Sequence, residues 1–362
     1  MKILWINHRD IRNPRAGGAE RTINEVGKRL VLAGHEVDVL TGGWQGALRH
    51  ETIDGIHIHR YGNRAIPHLV NPCFLKFHSD ADVIVDDMAH AAPWFSPWFS
   101  DKPGVVFFHH LHSRTLMGQT SAPIASFLAL FERHYSFIYK SWPFITESLS
   151  SQMDLNSLGI DSRRITRIPP GVDTDMFSLA RKSEYPSVVY FGGMRPYKRP
   201  EHALMALEMI LKNGFVSRMT MVGDGPSLPF LKSLAVELGI SDKVSFPGKV
   251  TDRELASIVS SSWVNIHCSL SEGWGFSVLE AAASGTPTVA YRVPGIEETV
   301  ANGKTGILVD DGDVVGLSNA IVGLLKNNNI LGAACRSHAE RYSWDTTTSM
   351  WEKSLMAAAS SP

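Results

Sequence analysis

Apolar positions along the chain fall into short β-branched runs that alternate with stretches of helical spacing. Lys2 to Asn7 reads as a first strand. A helix follows from about Ala19 to Ala33, stopped by Gly34, and Glu36 to Thr41 is the second strand. His57 to Tyr61 and Val83 to Val85 fall in further strands, and Val105 to Phe108 is strongly β-branched and aromatic. Ala125 to Lys140 reads as one helix, and Ile165 to Ile168 as a last strand before Pro169-Pro170-Gly171. The pattern then starts again. Strands are predicted over 187–191, 219–222, 244–246, 263–268 and 288–291, with helices over 201–213, 228–238, 252–260, 276–284 and 313–326. A final helix runs from about Thr346 to Ala359. Such alternation predicts two doubly wound α/β domains, 1–171 and 172–345, with 346–362 as a closing helix. The join near Pro169-Pro170-Gly171 and the polar stretch 180–186 is the expected linker.

Composition narrows the function classes. The chain has 362 residues, 44% hydrophobic, with a net charge of −1. There are 18 basic and 16 acidic residues before Val172, against 17 and 20 from there on, so no basic domain points to nucleic acid. Cys73, Cys268 and Cys335 are widely separated, which argues against a zinc ribbon and fits a reducing, cytoplasmic setting. The N-terminal apolar run is too short for a signal peptide, and no run spans a bilayer.

The chemistry concentrates in Ser271-Glu-Gly-Trp-Gly-Phe-Ser-Val-Leu-Glu280, a strand–loop–helix start bracketed by Glu272 and Glu280. A helix start suits an anion such as a diphosphate, and the two carboxylates suit hydroxyls on a sugar and a ribose. Arg195, Lys198 and Arg199 follow the first strand of the second domain and suit phosphate charge. Gly17 and Gly18 open the first helix without a GxGxxG fingerprint, which disfavours a nicotinamide cofactor. Val222-Gly-Asp-Gly-Pro226 and the pairs Asp173/Asp175 and Asp311/Asp313 read as turns. Phe107-Phe-His-His-Leu-His112 puts His109 and His110 at a strand's carboxyl end, where a polar or catalytic role is expected and a metal is not. Pro93-Trp-Phe-Ser-Pro-Trp-Phe99 reads as core packing at a domain edge or as a face for a membrane or lipid-carried acceptor.

Together these motifs resemble the E-x7-E signature and associated segments of the family 4 retaining glycosyltransferases. The similarity extends through Gly17-Gly18-Ala19-Glu20, His109-His110, Ile168 to Asp173, Lys198, Val222 to Pro226, Ser284 to Val289, Gly295 to Glu298 and Lys304 to Val309. The resemblance implies a GT-B fold: two Rossmann-like domains facing a central crevice, the last helix returning to the first. It implies that Glu272 binds a donor-sugar hydroxyl, Glu280 the ribose, and the backbone of Gly275, Phe276 and Ser277 the diphosphate. Lys198 is expected to neutralise the leaving phosphate, the Gly17-Gly18 loop to face donor phosphate or acceptor, and Lys249-Val250 to hold the base. His109 matches the family's crevice histidine, with His110 one residue away. Asp87, His110 and Trp94 are the acceptor-side candidates. Gly193 stands where the family carries an arginine, and Arg195 is expected to supply that charge.

The activity so implied is retaining, metal-independent transfer of a hexose-type sugar from a nucleoside diphosphate sugar to a hydroxyl, with no cofactor. Front-face attack is implied, the leaving phosphate accepting the acceptor's proton. The acceptor is a glycan, lipid-linked or small, with peripheral contact at the inner membrane face and surface-polysaccharide assembly as one context. An epimerase or phosphorylase of the same fold and a non-catalytic nucleotide-sugar-binding protein remain alternatives.

Overall fold

The structure, a computed structural model, describes residues 1–63, 66–113, 122–326 and 331–360. The chain divides into two compact units, Met1–Gly171 with Trp344–Pro362, and Val172–Ser343. No helix among the described residues is long and apolar enough to cross a membrane.

Unit 1 is built on an eight-stranded sheet ordered β3-β4-β2-β1-β5-β6-β7-β8. Its strands are β1 (Lys2–Ile6), β2 (Glu36–Thr41), β3 (His50–Ile53), β4 (Ile56–Arg60), β5 (Val83–Met88), β6 (Gly104–Phe108), β7 (Phe144–Thr146) and β8 (Ile165–Arg167). All pairings are parallel except β3 with β4. That hairpin, absent from the expected parallel sheet, turns at Asp54-Gly55, a two-residue hairpin signal between alternating runs. The predicted helix over 125–140 is two helices, Ala122–Glu132 and Tyr135–Ile138. Around the break, Glu132 turns back to accept the His112 amide at 2.7 Å. Tyr135 and Tyr139 then bury their rings and donate to the Ala91 carbonyl and the Asp86 carboxylate.

The last helix, Trp344–Ala359, packs on unit 1. Its anchor is Trp351, fully buried, with its ring 4.8 Å from Trp5 and 4.9 Å from Phe107. Arg29 to Asp345 at 2.8 Å and His35 to Glu352 at 2.9 Å flank that contact.

Unit 2 has six strands, all parallel: β9 (Ser187–Phe191), β10 (Arg218–Val222), β11 (Val244–Gly248), β12 (Val264–His267), β13 (Thr288–Tyr291) and β14 (Gly306–Val309). Their order is β11-β10-β9-β12-β13-β14. Counted by chain order this is 3-2-1-4-5-6, the arrangement of dinucleotide-binding sheets, whose order reverses between β9 and β12. The chain divides after Gly171, and the 180–186 part of the expected linker is attached to this unit. Lys182 Nζ donates to the Ser260 carbonyl at 3.0 Å and Thr286 Oγ1 at 2.6 Å, and the Ser183 amide donates to Ser261.

Replacing Trp351 by Ala empties a large buried volume shared by three aromatic rings. The expected loss is about 3–5 kcal/mol in the urea unfolding of unit 1, with the unit 2 transition unmoved. An unchanged midpoint would mean that the last helix only rests on the surface.

Candidate functional site

The reversal of strand order in unit 2 decides what meets at the carboxyl ends. β9 and β12 are neighbours, yet their following loops lead to different helices, which opens a crevice between them. The β9 loop ends in a short turn, Pro196–Lys198, before the Pro200–Lys212 helix. Arg199 joins the two in a left-handed conformation, φ 46°. Its guanidinium bonds the Cys268 and Ser269 carbonyls at 2.8 and 3.0 Å, pairs with Asp311, and lies 4.7 Å from the Tyr291 ring. Arg199 is therefore a strut between the two loops, which corrects the expectation that it carries phosphate charge.

Lys198 and Glu272 meet at this reversal. Lys198 Nζ donates to Glu272 Oε1, and His267 Nε2 lies 3.3 Å from the same oxygen. The side chains retain 21% and 14% exposure, so the pair is sheltered yet reachable. Burial pushes the Glu272 carboxyl up, but Lys198 and His267 outweigh it and hold the group well below the usual carboxylate range. Burial likewise disfavours the Lys198 ammonium, and Glu272 more than restores it.

The next turn begins the Phe276–Ala283 helix, capped by Gly275 at φ 92°. A Cβ there would lie 2.5 Å from Ile296 Cδ1, and one on Gly295 would lie 2.3 Å from the Glu272 carbonyl oxygen. Both glycines let this loop close onto its neighbours. From Ser271 to Tyr291 every residue is buried except Glu272, Phe276 and Ser277. The surface of this segment thus presents one carboxylate and the start of a helix, whose backbone N–H groups and positive dipole end favour an anion. Glu280 is buried one turn further in.

Arg195 is half-buried, and its Nε would lie 3.7 Å from a Cβ at Gly193, so its side chain covers the place of the absent arginine. The Val222–Pro226 segment is a turn that supports this loop: the Met194 amide donates to the Asp224 carbonyl, and the Ser227 amide to the Met194 carbonyl. Lys249 is exposed at the end of β11, and Val250 packs on the apolar cluster beneath. Asp173 accepts the Asp175 and Met176 amides, and Asp313 the Gly316 amide, each in a turn.

In unit 1, Gly17 caps the Gly18–Leu32 helix. Its amide donates to Glu20 Oε2 at 2.6 Å, and Arg9 holds the other Glu20 oxygen at 2.8 Å. His109 is buried between two carboxylates, Nε2 at 2.8 Å from Asp87 Oδ1 and Nδ1 at 3.4 Å from Glu147 Oε2. Burial pushes the imidazole down, but the two carboxylates outweigh it and carry the group up to about 10, so it is an imidazolium at neutral pH. Asp87 is fully buried, with Trp5 Nε1 on its second oxygen at 3.1 Å. It therefore holds His109 and does not face an acceptor. Trp94 is also corrected: it is buried, and its indole N–H donates to the Asp87 carbonyl at 2.8 Å. His110 is half-buried beside His112, at 4.5 Å between rings.

His267 and Glu147 join these sites although no motif in the sequence marks them. His267 ends β12 and so occupies the carboxyl end of a strand at the order reversal, a position that marks it once the strand order is known. Glu147 follows β7, a three-residue strand too short to stand out after the overextended helix.

Known proteins resemble this chain in sequence and fold. The family described as Glycosyl transferases group 1 matches residues 172–342, and that described as Glycosyltransferase Family 4 matches residues 16–176. The D-inositol 3-phosphate glycosyltransferase of Geodermatophilus obscurus is 31% identical over 56% of this chain and 49% of its own. The GDP-mannose-dependent alpha-(1-6)-phosphatidylinositol monomannoside mannosyltransferase of Mycobacterium tuberculosis is 33% identical over 49% of this chain and 52% of its own. The chain thus spans about half the length of the curated relatives it matches at this level. The sucrose-phosphate synthase of Thermosynechococcus elongatus superposes with a TM-score of 0.83 at 21% identity, covering 99% of each chain. Fold and strand order define a GT-B protein with two Rossmann-like units. The chain belongs to the family 4 glycosyltransferases.

The clamp on His109 carries a pH signature. Its folded value of about 10 lies above the ordinary 6.5, so its contribution is full below 6.5 and lost as pH rises through about 10. Unit 1 should lose stability across that window, and His109→Gln should flatten the loss. An equal slope in the variant would remove the charge from His109.

Proposed function

We propose that the protein is a retaining glycosyltransferase that moves a hexose-type sugar from a nucleoside diphosphate sugar to a hydroxyl acceptor. One observation carries this reading: the buried segment from Ser271 to Tyr291 exposes only Glu272, Phe276 and Ser277, beside Lys198, where the strand order reverses. In this reading the diphosphate settles on the helix start and takes Lys198 from Glu272. Glu272, released, accepts a hydroxyl of the sugar, and Glu280 accepts the ribose. Lys249 and Val250 lie beside the base.

Transfer passes through an oxocarbenium-like sugar with negative charge growing on the leaving diphosphate. Lys198, Arg195 and the helix N–H groups stabilise that charge without a metal at the phosphates. The acceptor hydroxyl attacks from the leaving-group face, and the departing phosphate oxygen takes its proton. The reading includes retention by attack from the leaving-group face, because Glu280 is assigned to the ribose and so is not a nucleophile for a double displacement. His109, charged and clamped, acts by position and field.

The acceptor side of the proposal is a lipid-linked glycan. Trp98, Phe99, Phe127 and Phe137 are exposed in unit 1, and a shallow apolar cavity of about 280 Å³ lies among Trp98, Phe127, Phe131 and Phe137. Aromatic rings at a surface suit a membrane interface. The mannosyltransferase relative is named for a lipid acceptor. A cytoplasmic protein peripheral to the inner membrane face, serving surface-polysaccharide assembly, fits these features.

A melting screen against UDP-, GDP-, ADP- and dTDP-sugars should single out one donor, stabilising by about 2.7 kcal/mol at a hundredfold excess over Kd. Glu272→Gln should weaken that donor by roughly 10–100-fold without weakening the free nucleotide, since a hydrogen bond to a charged group is worth about 1.5–3 kcal/mol. Turnover should persist in EDTA and give product of the donor's anomeric configuration. Equal losses for sugar and nucleotide would remove Glu272 from the sugar.

Vesicles with anionic lipid should sediment the protein, and a Trp98→Ala/Phe137→Ala variant should stay in solution. A parent protein that does not sediment ends the membrane reading.

A further inference from the structure

Twelve of the fifteen histidines precede Val172, and three of them gather where the unit 1 sheet reverses its own order. Leaving out the β3 edge, the parallel strands of that sheet run 3-2-1-4-5-6-7 by chain order, so the reversal lies between β1 and β5. His8 follows β1, His90 follows β5, and His68 lies in the first turn of the Ile66–Phe77 helix. One ring nitrogen of each lies within 4.8 Å of the others. His68 Nε2 and His90 Nε2 are 3.2 Å apart. Two nitrogens bound to a tetrahedral zinc at about 2.0–2.1 Å stand roughly 3.3 Å apart. The pair is therefore already at the spacing of two ligands on one ion.

The surroundings hold the rings in place. The Trp94 indole stacks on His68, with centroids 4.0 Å apart and planes 15° apart, and it lies 4.8 Å from the His8 ring. Trp94 is itself fixed by its N–H to the Asp87 carbonyl and its amide to the Tyr139 hydroxyl.

We propose that His8, His68 and His90 bind one divalent first-row transition-metal ion, zinc being the best suited, through three imidazole nitrogens. A fourth position is left for an oxygen ligand. The ion ties the start of the Ile66–Phe77 helix to the ends of β1 and β5. It has no step in the proposed transfer, whose charge-stabilising groups belong to unit 2. Two rearrangements accompany uptake. The His8 and His90 rings, with centroids 3.0 Å apart, must separate to face one ion. The Ala92 amide donates to His90 Nδ1 at 3.1 Å, which puts the ring proton on Nε2. Metal at Nε2 moves that proton to Nδ1 and gives up the Ala92 bond, so the site is weaker than one whose tautomer is already set.

A second group, Asp38, His59 and His78, also has converging ligand atoms, but Asp38 already bonds His59 at 2.6 Å and has the Lys2 ammonium 3.9 Å from its other oxygen. It serves as the internal control. Tag-free, chelator-treated protein is titrated with cobalt(II), whose visible absorption reports tetrahedral coordination, and zinc is then added in competition. The expected result is one equivalent of cobalt with tetrahedral absorption, displaced by zinc, and a higher melting temperature for unit 1. His68→Ala and His90→Gln should each weaken uptake at least tenfold while melting as metal-free parent does, and His78→Ala should bind normally. A folded parent that takes up no cobalt overturns the proposal regardless of the variants. Uptake that survives both substitutions, or that is lost in His78→Ala, overturns it equally.

Discussion

The ion pair of Lys198 with Glu272 is the constraint around which unit 2 is arranged. Neither charge is stable alone at that depth, because removing an ion from water costs several kcal/mol. Each makes the other tolerable, and His267 adds a second contact to the same carboxylate oxygen. The pair exists because β9 and β12 are adjacent although two strands separate them in the chain. Arg199 ties the two loops together, and Gly295 lets the neighbouring turn close on the Glu272 carbonyl. The result is a charged couple held ready beside a helix start. A ligand that brings its own phosphate and hydroxyl can replace both halves of the interaction, so the two charges need not be desolvated anew when it binds.

Unit 1 uses the same sheet topology for a different electrostatic end. Its charged group, His109, is clamped by carboxylates on both ring nitrogens and has little exposure. Asp87 is held in turn by Trp5, and Trp5 packs on Trp351 of the last helix. The helix that closes the chain is thereby linked, through two aromatic residues and an aspartate, to the histidine held between two carboxylates. Fixed charge in unit 1 contrasts with exchangeable charge in unit 2.

Much of this architecture was legible in the residues. The β-branched runs marked most strands, and the acid–glycine–helix pattern marked the Glu272 loop before any strand order was known. What escaped had physical causes. The β3–β4 hairpin carries its turn signal openly at Asp54-Gly55, but its strands are short and rich in histidine. β7 is three residues long, and with it went Glu147. Arg199 looked like a phosphate ligand because charge is visible in sequence and its partners are not. Asp87 and Trp94 stood as acceptor-side candidates because depth cannot be read from a polar or aromatic residue type. Both are buried, and the Trp94 indole N–H donates to the Asp87 carbonyl. The histidine trio escaped for a related reason: its members lie 60 and 22 positions apart, and only the strand order brings them together.

In the proposed transfer the Lys198–Glu272 pair opens to receive a nucleotide sugar. A crystal structure with an intact, non-transferable analogue of the cognate donor tests it most directly. The account predicts Lys198 Nζ on a phosphate oxygen, Glu272 on a sugar hydroxyl, and the two side chains no longer bonded. An analogue bound with the pair intact, or with its diphosphate away from the Phe276 helix start, would contradict it.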